Sequence, residues 1–158
     1  MSTYSARPVD PVTLRELRAT DDAGHRAVPV TDDGGGAPLR CCLRRSAPGD
    51  RIALVSYAPL RRWAAETGAA PGAYDEQGPV FIHADDCPGP GPGDGALPFT
   101  HAHRVLRRYS ADGRILGGTL VTDGFTGALD EAFTDPEVAL VHVRAVEYGC
   151  FLYEVRRP

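Results

Sequence analysis

Glycine and proline break this chain into short segments, which limits how long any helix or strand can be. The 158 residues include 18 glycines and 14 prolines, which separate the apolar runs from one another. Prolines alternate with glycines between Cys87 and Pro98, so this stretch can form neither a strand ladder nor a helix. We therefore predict a Pro/Gly-rich surface loop over residues 87–98 and short elements on either side of it.

The apolar runs between these breaks predict more strands than helices. Asp112-Gly113 marks a hairpin turn, because glycine adopts a positive φ without strain. Three antiparallel strand pairs are predicted: residues 38–44 with 51–57, 101–109 with 114–121, and 138–146 with 150–155. A buried strand is expected at residues 80–84, and brief helices near residues 13–18, 60–66 and 124–133. The sequence thus predicts an α+β fold with two or three short helices and a mainly antiparallel sheet, either open or strongly curved and barrel-like.

Length and charge are those of an ordinary globular domain. The chain carries 17 basic and 21 acidic residues, a formal charge of −4, and we expect one domain over residues 1–158 with a flexible N-terminus over residues 1–12. The mild acidity counts against nonspecific nucleic-acid binding, which needs a basic surface. No apolar stretch approaches the roughly 20 residues that cross a bilayer, and residues 1–18 lack the pattern of an export signal. We expect a cytoplasmic protein with a small-molecule ligand and with neither nucleic acid nor membrane as a partner; its oligomeric state stays open.

The four cysteines are expected to be free thiols, because a reducing compartment disfavours disulfides. Cys41 and Cys42 are adjacent, so on a strand their side chains would point to opposite faces. No Cys-x-x-Cys pair occurs, which excludes the spacing of a zinc ribbon or a thioredoxin-type motif. A chain of this length also needs neither disulfides nor a structural metal to fold.

A pair of histidines suggests metal binding. His101 and His103 are two residues apart, so on a strand both imidazoles would project from one face and offer two ligands to a transition metal. The third ligand would come from His83 or His142. A solvated pair of histidines at the entrance of a strand is the alternative.

A second spacing places an imidazole near a thiol. His83 precedes Cys87 by four residues, and such a pair can activate the thiol as a nucleophile or bind a soft metal. The acidic residues 85–86 lie between them and would raise the pKa of the thiol, which counts against a reactive Cys87. The alternative is a strand end followed by an acidic turn.

The last predicted strand pair places basic and aromatic side chains on one face. His142 and Arg144 are two residues apart, and a two-residue turn at 148–149 would set Arg144 opposite Tyr153 and His142 opposite Val155. Arginine binds carboxylates and phosphates, and histidine titrates near neutral pH, so this face is a candidate for anion binding or acid–base chemistry. A polar outer face of a sheet would have the same pattern.

A further basic patch lies on the predicted strand 101–109. Arg107 and Tyr109 share one face of this strand and are candidates for binding an anionic ligand, whereas Arg104 and Arg108 point the other way. An edge strand protected by charge would look the same.

Several strings of the sequence, taken in order, resemble one known family. They are Gly78-Pro79-Val80-Phe81-Ile82-His83-Ala84, the run from Arg104 to Gly113, and the run from Phe133 through His142 to Cys150. Together they resemble the bacterial family called domain of unknown function 1203, over about residues 38–156. The resemblance implies a small single-domain bacterial protein with no established activity, and His83, His142 and Cys150 match the family pattern. Family members often have His-Val-His-Asn-Ala where this chain has His-Val-Arg-Ala-Val from His142 onward.

These residues lead to three hypotheses about function. In the first, the domain binds a small anionic molecule in a pocket that contains His83, His142 and Arg144, with Tyr153 nearby. His142 would exchange a proton while Arg144 neutralises developing charge. The second is a metal-dependent enzyme that uses the histidine pair described above, with a transition metal as its cofactor. The third is a noncatalytic module that binds a protein partner through the Pro/Gly-rich loop and the arginine-rich strand.

Overall fold

Two antiparallel sheets, one of three strands and one of four, form the framework of this protein. A computed structural model describes residues 4–92 and 96–158. Contacts within the chain divide these residues into two compact units. We call residues 8–57 and 77–92 the small-sheet unit, and residues 4–7, 58–76 and 96–158 the large-sheet unit.

The small-sheet unit contains one helix and the three-stranded sheet. Helix α1 (Pro11–Ala19) begins at Asp10, whose carboxylate accepts a hydrogen bond from the amide of Thr13 at 2.9 Å and so satisfies one of the free donors of the first turn. The sheet has the order β1-β2-β3, with every neighbouring pair antiparallel. Its strands are β1 (Val30–Asp32), β2 (Asp50–Tyr57) and β3 (Gly78–His83).

The hairpin predicted from residues 38–44 and 51–57 is wrong in its first half. Residues 51–57 do lie in β2, but the chain from Pro38 to Arg45 makes a tight turn, which forms only isolated bridges, one between its two ends and one from Leu39 to Phe81. Within the turn the amide of Leu43 donates to the carbonyl of Leu39 at 2.9 Å, and Leu43 has a φ of 57°. The place beside β2 is taken by β1 instead. Alternation of apolar residues suits a strand, but it does not reveal a single residue with positive φ that reverses the chain.

The large-sheet unit contains the remaining two α-helices and the four-stranded sheet of order β5-β4-β6-β7. The helix over Pro59–Thr67 packs on a face of this sheet. Its Leu60 and Trp63 form a buried cluster with Tyr109 and Leu140, which belong to two neighbouring strands. A short 3-10 helix (Gly72–Tyr74) follows this helix. The elements are α2 (Pro59–Thr67), β4 (Arg104–Ser110), β5 (Ile115–Val121), α3 (Phe125–Thr134), β6 (Val138–Ala145) and β7 (Phe151–Arg156).

The predicted register of the last strand pair is wrong by one residue. Tyr153 pairs with Val143, and His142 pairs with Glu154. A bulge between Val143 and Arg144 gives β7 one residue more than β6 at this point. Because the side chains of a strand alternate between its faces, Tyr153 lies on the face opposite to His142 and Arg144.

The predicted fold class is confirmed. The described residues contain three α-helices and two antiparallel sheets, and neither sheet closes into a barrel in this part of the chain. The hairpin at Asp112-Gly113 is confirmed as the β4–β5 connection, with Gly113 at a φ of 85°. Among the helices that the structure describes, none has the length and apolar character to span a bilayer.

The flexible N-terminus over residues 1–12 and the surface loop over residues 87–98 both stay predictions. Tyr4, within the N-terminal stretch expected to be flexible, is buried, and its hydroxyl donates to Asp130 at 2.8 Å. The Pro/Gly-rich loop has no helix or strand at residues 87–92 and 96–98, while its residues 93–95 lie outside the described part of the chain. That residues 1–158 act as one domain stays a prediction as well.

Candidate functional sites

Three thiols and one imidazole converge in the small-sheet unit. We call Cys41, Cys42, His83 and Cys87 the thiol–imidazole cluster, because one sulfur or nitrogen atom from each lies within 4.8 Å of the others. Within the part of the chain that the structure describes, this is the one group of three or more His, Cys, Asp or Glu side chains gathered closely enough to hold a metal ion. The four cysteines, all of which lie in the described part of the chain, form no disulfide.

The turn between Pro38 and Arg45 explains how two adjacent cysteines reach the same point. The amide of Arg40 donates to the carbonyl of Phe81 at 2.9 Å, which fixes the turn against β3 two residues before His83. On a strand, neighbouring side chains would point to opposite faces. In this turn both sulfurs approach Nδ1 of His83, Cys41 at 3.4 Å and Cys42 at 4.0 Å.

The two adjacent cysteines of the cluster are sheltered from solvent. Cys41 and Cys42 are 1% and 2% exposed, whereas His83 and Cys87 are half-buried. The backbone amide of His83 also donates to the sulfur of Cys41 at 3.3 Å. Such N–H···S contacts place positive charge against sulfur and favour its anionic form.

The two adjacent thiols have very different acidities. The hydrogen bond from Cys41 lowers the pKa of Cys42 to about 5; the backbone amide of Arg44 and the charges of His83 and Arg44 add to this effect, and together they outweigh burial. The same hydrogen bond and burial raise the pKa of Cys41. Cys42 is therefore the more acidic of the two thiols, and Cys41 is the one that donates the hydrogen bond.

A carboxylate holds the other side of the imidazole. Nε2 of His83 lies 3.4 Å from Oδ2 of Asp50, at the start of β2. The amide of Ala47 donates to the same oxygen at 2.8 Å, and this hydrogen bond is the main reason why the pKa of Asp50 is lowered. Asp50 thus orients the ring, with Nε2 on the carboxylate and Nδ1 facing the sulfurs of Cys41 and Cys42.

The large-sheet unit contains a second cluster, built from two arginines. Arg107 of β4 and Arg144 of β6 lie on one face of the sheet, and we call them the arginine pair. Nη1 of Arg107 and Nη1 of Arg144 both contact the same oxygen, Oε1 of Glu76; the Arg144 distance is 3.4 Å. Burial and the charge of Arg107 lower the pKa of Arg144. Two guanidinium groups therefore share one carboxylate.

His142 lies beside the arginine pair but is closed to solvent. Its side chain is 1% exposed, with the ring centroids of Tyr109 and Phe151 at 4.7 Å and 4.9 Å. Nε2 lies 3.3 Å from a carboxylate oxygen of Glu154. Burial lowers the pKa of His142, more than Glu154 raises it, so the imidazole is neutral at pH 7 and donates to Glu154.

Of the other predicted site residues, the two remaining histidines lie apart from the thiol–imidazole cluster, Tyr153 takes a structural position, and Cys150 lies within electrostatic reach of Arg144. His101 and His103 are exposed, precede β4 and do not belong to the thiol–imidazole cluster. The hydroxyl of Tyr153 is buried and donates to the carbonyl of Pro98 at 3.2 Å, and burial raises its pKa. Cys150 is half-buried beside the β6–β7 turn. His83 belongs to the small-sheet unit, whereas His142 belongs to the large-sheet unit.

The sequence patterns do not reveal the part that four residues take in these two sites, namely Cys41, Cys42, Asp50 and Glu76. The adjacent pair of Cys41 and Cys42, with a His-x-x-x-Cys string further along the chain, is a signal for a metal site that the strand prediction hid. Glu76 carries no local pattern, because an acidic residue in a loop is common.

Comparison with known proteins returns one family. The sequence model of the family described as "Protein of unknown function (DUF1203)" matches residues 36–157. No curated protein and no solved structure matches the chain.

Proposed function

The chain belongs to the DUF1203 family of unknown function, and from the geometry of its own residues we propose that it binds a small molecule carrying a carboxylate or phosphate group at the arginine pair. The observation that carries this proposal is that two guanidinium groups already hold one carboxylate oxygen, that of Glu76, between them. An oxygen of a ligand would take the position that Glu76 Oε1 occupies.

The arginine pair keeps an excess of positive charge. Two guanidinium groups and one carboxylate leave a net charge of +1, and repulsion from Arg107 contributes to the lowered pKa of Arg144. Both arginine side chains are largely buried, at 26% and 16% exposed. An anion with two or three oxygens would relieve this repulsion better than a single carboxylate oxygen does, since arginine can bind such groups bidentately.

Glu76 is placed so that a ligand can displace it. Its side chain is 47% exposed, and it lies outside any helix or strand, shortly before β3. Water screens a carboxylate that is this exposed, so its ion pairs are weaker than those of a fully buried carboxylate. A ligand that pairs with both arginines therefore competes against a weak internal contact.

The proposal covers binding and leaves out acid–base catalysis by His142. A general acid or base must reach the proton that it transfers, and this imidazole is buried with its Nε2 directed at Glu154. Its neutral form and its place between two rings favour a role in fixing the sheet beneath the arginine pair.

A reducing location fits the rest of the chain. Four cysteines without a disulfide, two of them buried side by side, are stable as thiols in the cytosol. We therefore propose that the protein acts in the bacterial cytoplasm, with a small metabolite as its ligand.

A phosphate titration followed by NMR tests the binding proposal. Inorganic phosphate is added to the wild type and to four variants, Glu76→Gln, Arg107→Gln, Arg144→Gln and the control Arg114→Gln. Arg114 is an exposed arginine of the same unit, so its variant loses the same charge away from the pair. We expect Glu76→Gln to bind phosphate about tenfold more tightly, which is ~1.4 kcal/mol. Both variants of the arginine pair should lose the binding.

Two results would contradict the proposal. One is equal phosphate affinity of the wild type and Glu76→Gln. The other is a loss of affinity in Arg114→Gln as large as in Arg107→Gln, since this would mean that phosphate responds to overall charge alone.

A further inference from the structure

We propose that the thiol–imidazole cluster is a structural metal site in which the sulfurs of Cys41, Cys42 and Cys87 and Nδ1 of His83 coordinate one zinc ion. The site lies entirely within the small-sheet unit and is separate from the ligand binding proposed for the arginine pair.

The donor atoms suit zinc in kind and number. Three cysteine sulfurs and one imidazole nitrogen form one of the usual tetrahedral sets of structural zinc sites. These soft and borderline donors select zinc over magnesium or calcium, which prefer oxygen.

The donor atoms are also close to the spacing that a zinc ion imposes. With bonds of about 2.3 Å to sulfur and about 2.0–2.1 Å to nitrogen, the corners of a tetrahedral site lie about 3.5–3.8 Å apart. Nδ1 of His83 lies 3.4 Å from the sulfur of Cys41 and 4.0 Å from that of Cys42. All four donor atoms lie within 4.8 Å of one another, so a contraction of about 1 Å at most completes the site.

The surroundings of the cluster are those of a metal-bound histidine. A ligating imidazole commonly donates its second N–H to a carboxylate, which orients the ring and makes it a stronger ligand. Asp50 provides this carboxylate 3.4 Å from Nε2, and the amide of Ala47 holds Asp50 in turn. The amide of His83 donates to the sulfur of Cys41, which offsets part of the negative charge of the ligands.

A redox-active cysteine pair fits the same residues less well. Thiols that sense oxidants are solvent-accessible, so that peroxide can reach them. Cys41 and Cys42 are 1% and 2% exposed, and the chain between them is a single peptide bond inside a hydrogen-bonded turn. The third sulfur, that of Cys87, is not needed by such a pair but completes the donor set of a metal site.

The role of the ion follows from the number of protein ligands. Catalytic zinc sites keep one position open for water or substrate, whereas structural sites are closed by four protein ligands. Here the chain provides all four, and they connect the turn between Pro38 and Arg45 to the end of β3 and to the loop that follows it. Zinc would therefore hold these three segments together.

Metal content and cobalt spectra test the proposal. Protein without a histidine tag is purified under reducing conditions, and its transition metals are measured by mass spectrometry before and after reconstitution with zinc. We expect about one equivalent of zinc, and the cobalt-substituted protein should show the intense charge-transfer and visible bands of tetrahedral cobalt bound to thiolates. Cys87→Ser should lose most of the zinc and weaken the charge-transfer band. Cys150→Ser, which changes a half-buried cysteine of the other unit, should keep both.

Asp50→Asn keeps the experiment decisive if the cysteine variant fails to fold. This substitution preserves the size of the side chain but removes the charge opposite Nε2. We expect one equivalent of zinc with an affinity about 10–100-fold lower in competition with a chromogenic chelator. Less than about a tenth of an equivalent of zinc in reconstituted wild type would overturn the proposal. So would a full equivalent in folded Cys87→Ser, or a zinc affinity of Asp50→Asn equal to that of wild type.

Discussion

His142 shows how burial decides what a residue can do. Its type and position suggested proton exchange, but the ring lies between Tyr109 and Phe151 and donates to Glu154. Burial raises the pKa of Glu154, yet hydrogen bonds from His142 and Arg156 outweigh it and hold this pKa below its ordinary value. A neutral imidazole beside a charged carboxylate is therefore a stable buried pair, and the folded protein takes up a proton on either partner less readily than the unfolded chain does.

The buried imidazole should make stability depend on pH. The folded pKa of His142 lies below 6.5, its value in the unfolded chain, and the charges of Arg144 and Arg107 add to the effect of burial. The unfolded chain therefore takes up a proton first as pH falls below 6.5, and stability is lost. We expect the unfolding free energy to fall by about 1 kcal/mol more in wild type than in His142→Gln between pH 7.5 and 5.5, measured by urea denaturation. The exposed control His103→Gln should behave as wild type, and equal losses in wild type and His142→Gln would refute the account.

Sequence patterns predicted correctly which side chains of one strand share a face, but they did not predict which residues of two adjacent strands lie opposite each other. Alternation along a strand is enough to place His142 with Arg144, and Arg107 with Tyr109, on shared faces. The position of Tyr153 depends on the bulge at Arg144, and one extra residue moves a side chain to the other face. Nothing in the local sequence marks that bulge.

At the scale of elements, the β4–β5 hairpin depends on one glycine for two reasons. Gly113 has a φ of 85°, a conformation that other residues adopt only with strain. A Cβ atom at this position would lie 2.9 Å from Cβ of Pro71, in the segment before the 3-10 helix. The same glycine thus forms the turn and allows close packing of the hairpin against that segment.

Two alanine substitutions should separate these reasons. Gly113→Ala is compared with Gly149→Ala, which has a φ of 70° in the β6–β7 turn and no atom within 4 Å of its added Cβ. We expect Gly149→Ala to lower the unfolding free energy by about 1–2 kcal/mol through backbone strain alone. Gly113→Ala should lower it by at least about 1 kcal/mol more, because Pro71 must move. Equal effects in thermal or urea denaturation would show that the contact with Pro71 is unimportant.

The β4–β5 hairpin was predicted correctly and the hairpin of residues 38–44 with 51–57 was not, because the turns in the two segments are marked differently in the sequence. Asp112-Gly113 is itself the turn, so the residues that form it are visible in the sequence. In the other case the decisive feature is the positive φ of Leu43, a residue type that rarely adopts it. The elements that follow ordinary turn chemistry were predictable, and the turn that gathers the thiols was not.

At the scale of the whole molecule, each unit has its own sheet and its own candidate site. The thiol–imidazole cluster belongs to the small-sheet unit, and the arginine pair to the large-sheet unit. A metal that binds only folded protein stabilises the segments that its ligands connect. Because the two candidate sites share no residue and belong to different units, the zinc proposal and the anion-binding proposal can be tested independently in one protein.

Hydrogen exchange should reveal this division. Removing zinc with a chelator under reducing conditions should speed amide exchange in residues 39–45 and at the end of β3, because these segments are held by the ligands. Amides of β4 and β6 should keep their protection. Cys87→Ser without chelator should reproduce the pattern, whereas Cys150→Ser should not. A uniform increase across both sheets would contradict a local role of the ion.

The adjacency of Cys41 and Cys42 has a kinetic consequence. Their sulfurs belong to neighbouring residues, whereas His83 lies 42 positions beyond Cys41. Closing a chelate ring across one peptide bond sacrifices far less chain entropy than closing one across so many residues. When zinc is added to the unfolded chain, the vicinal thiols should thus capture it in a fast step that depends on its concentration, and folding should then bring in the imidazole and the last sulfur in a slower, concentration-independent step.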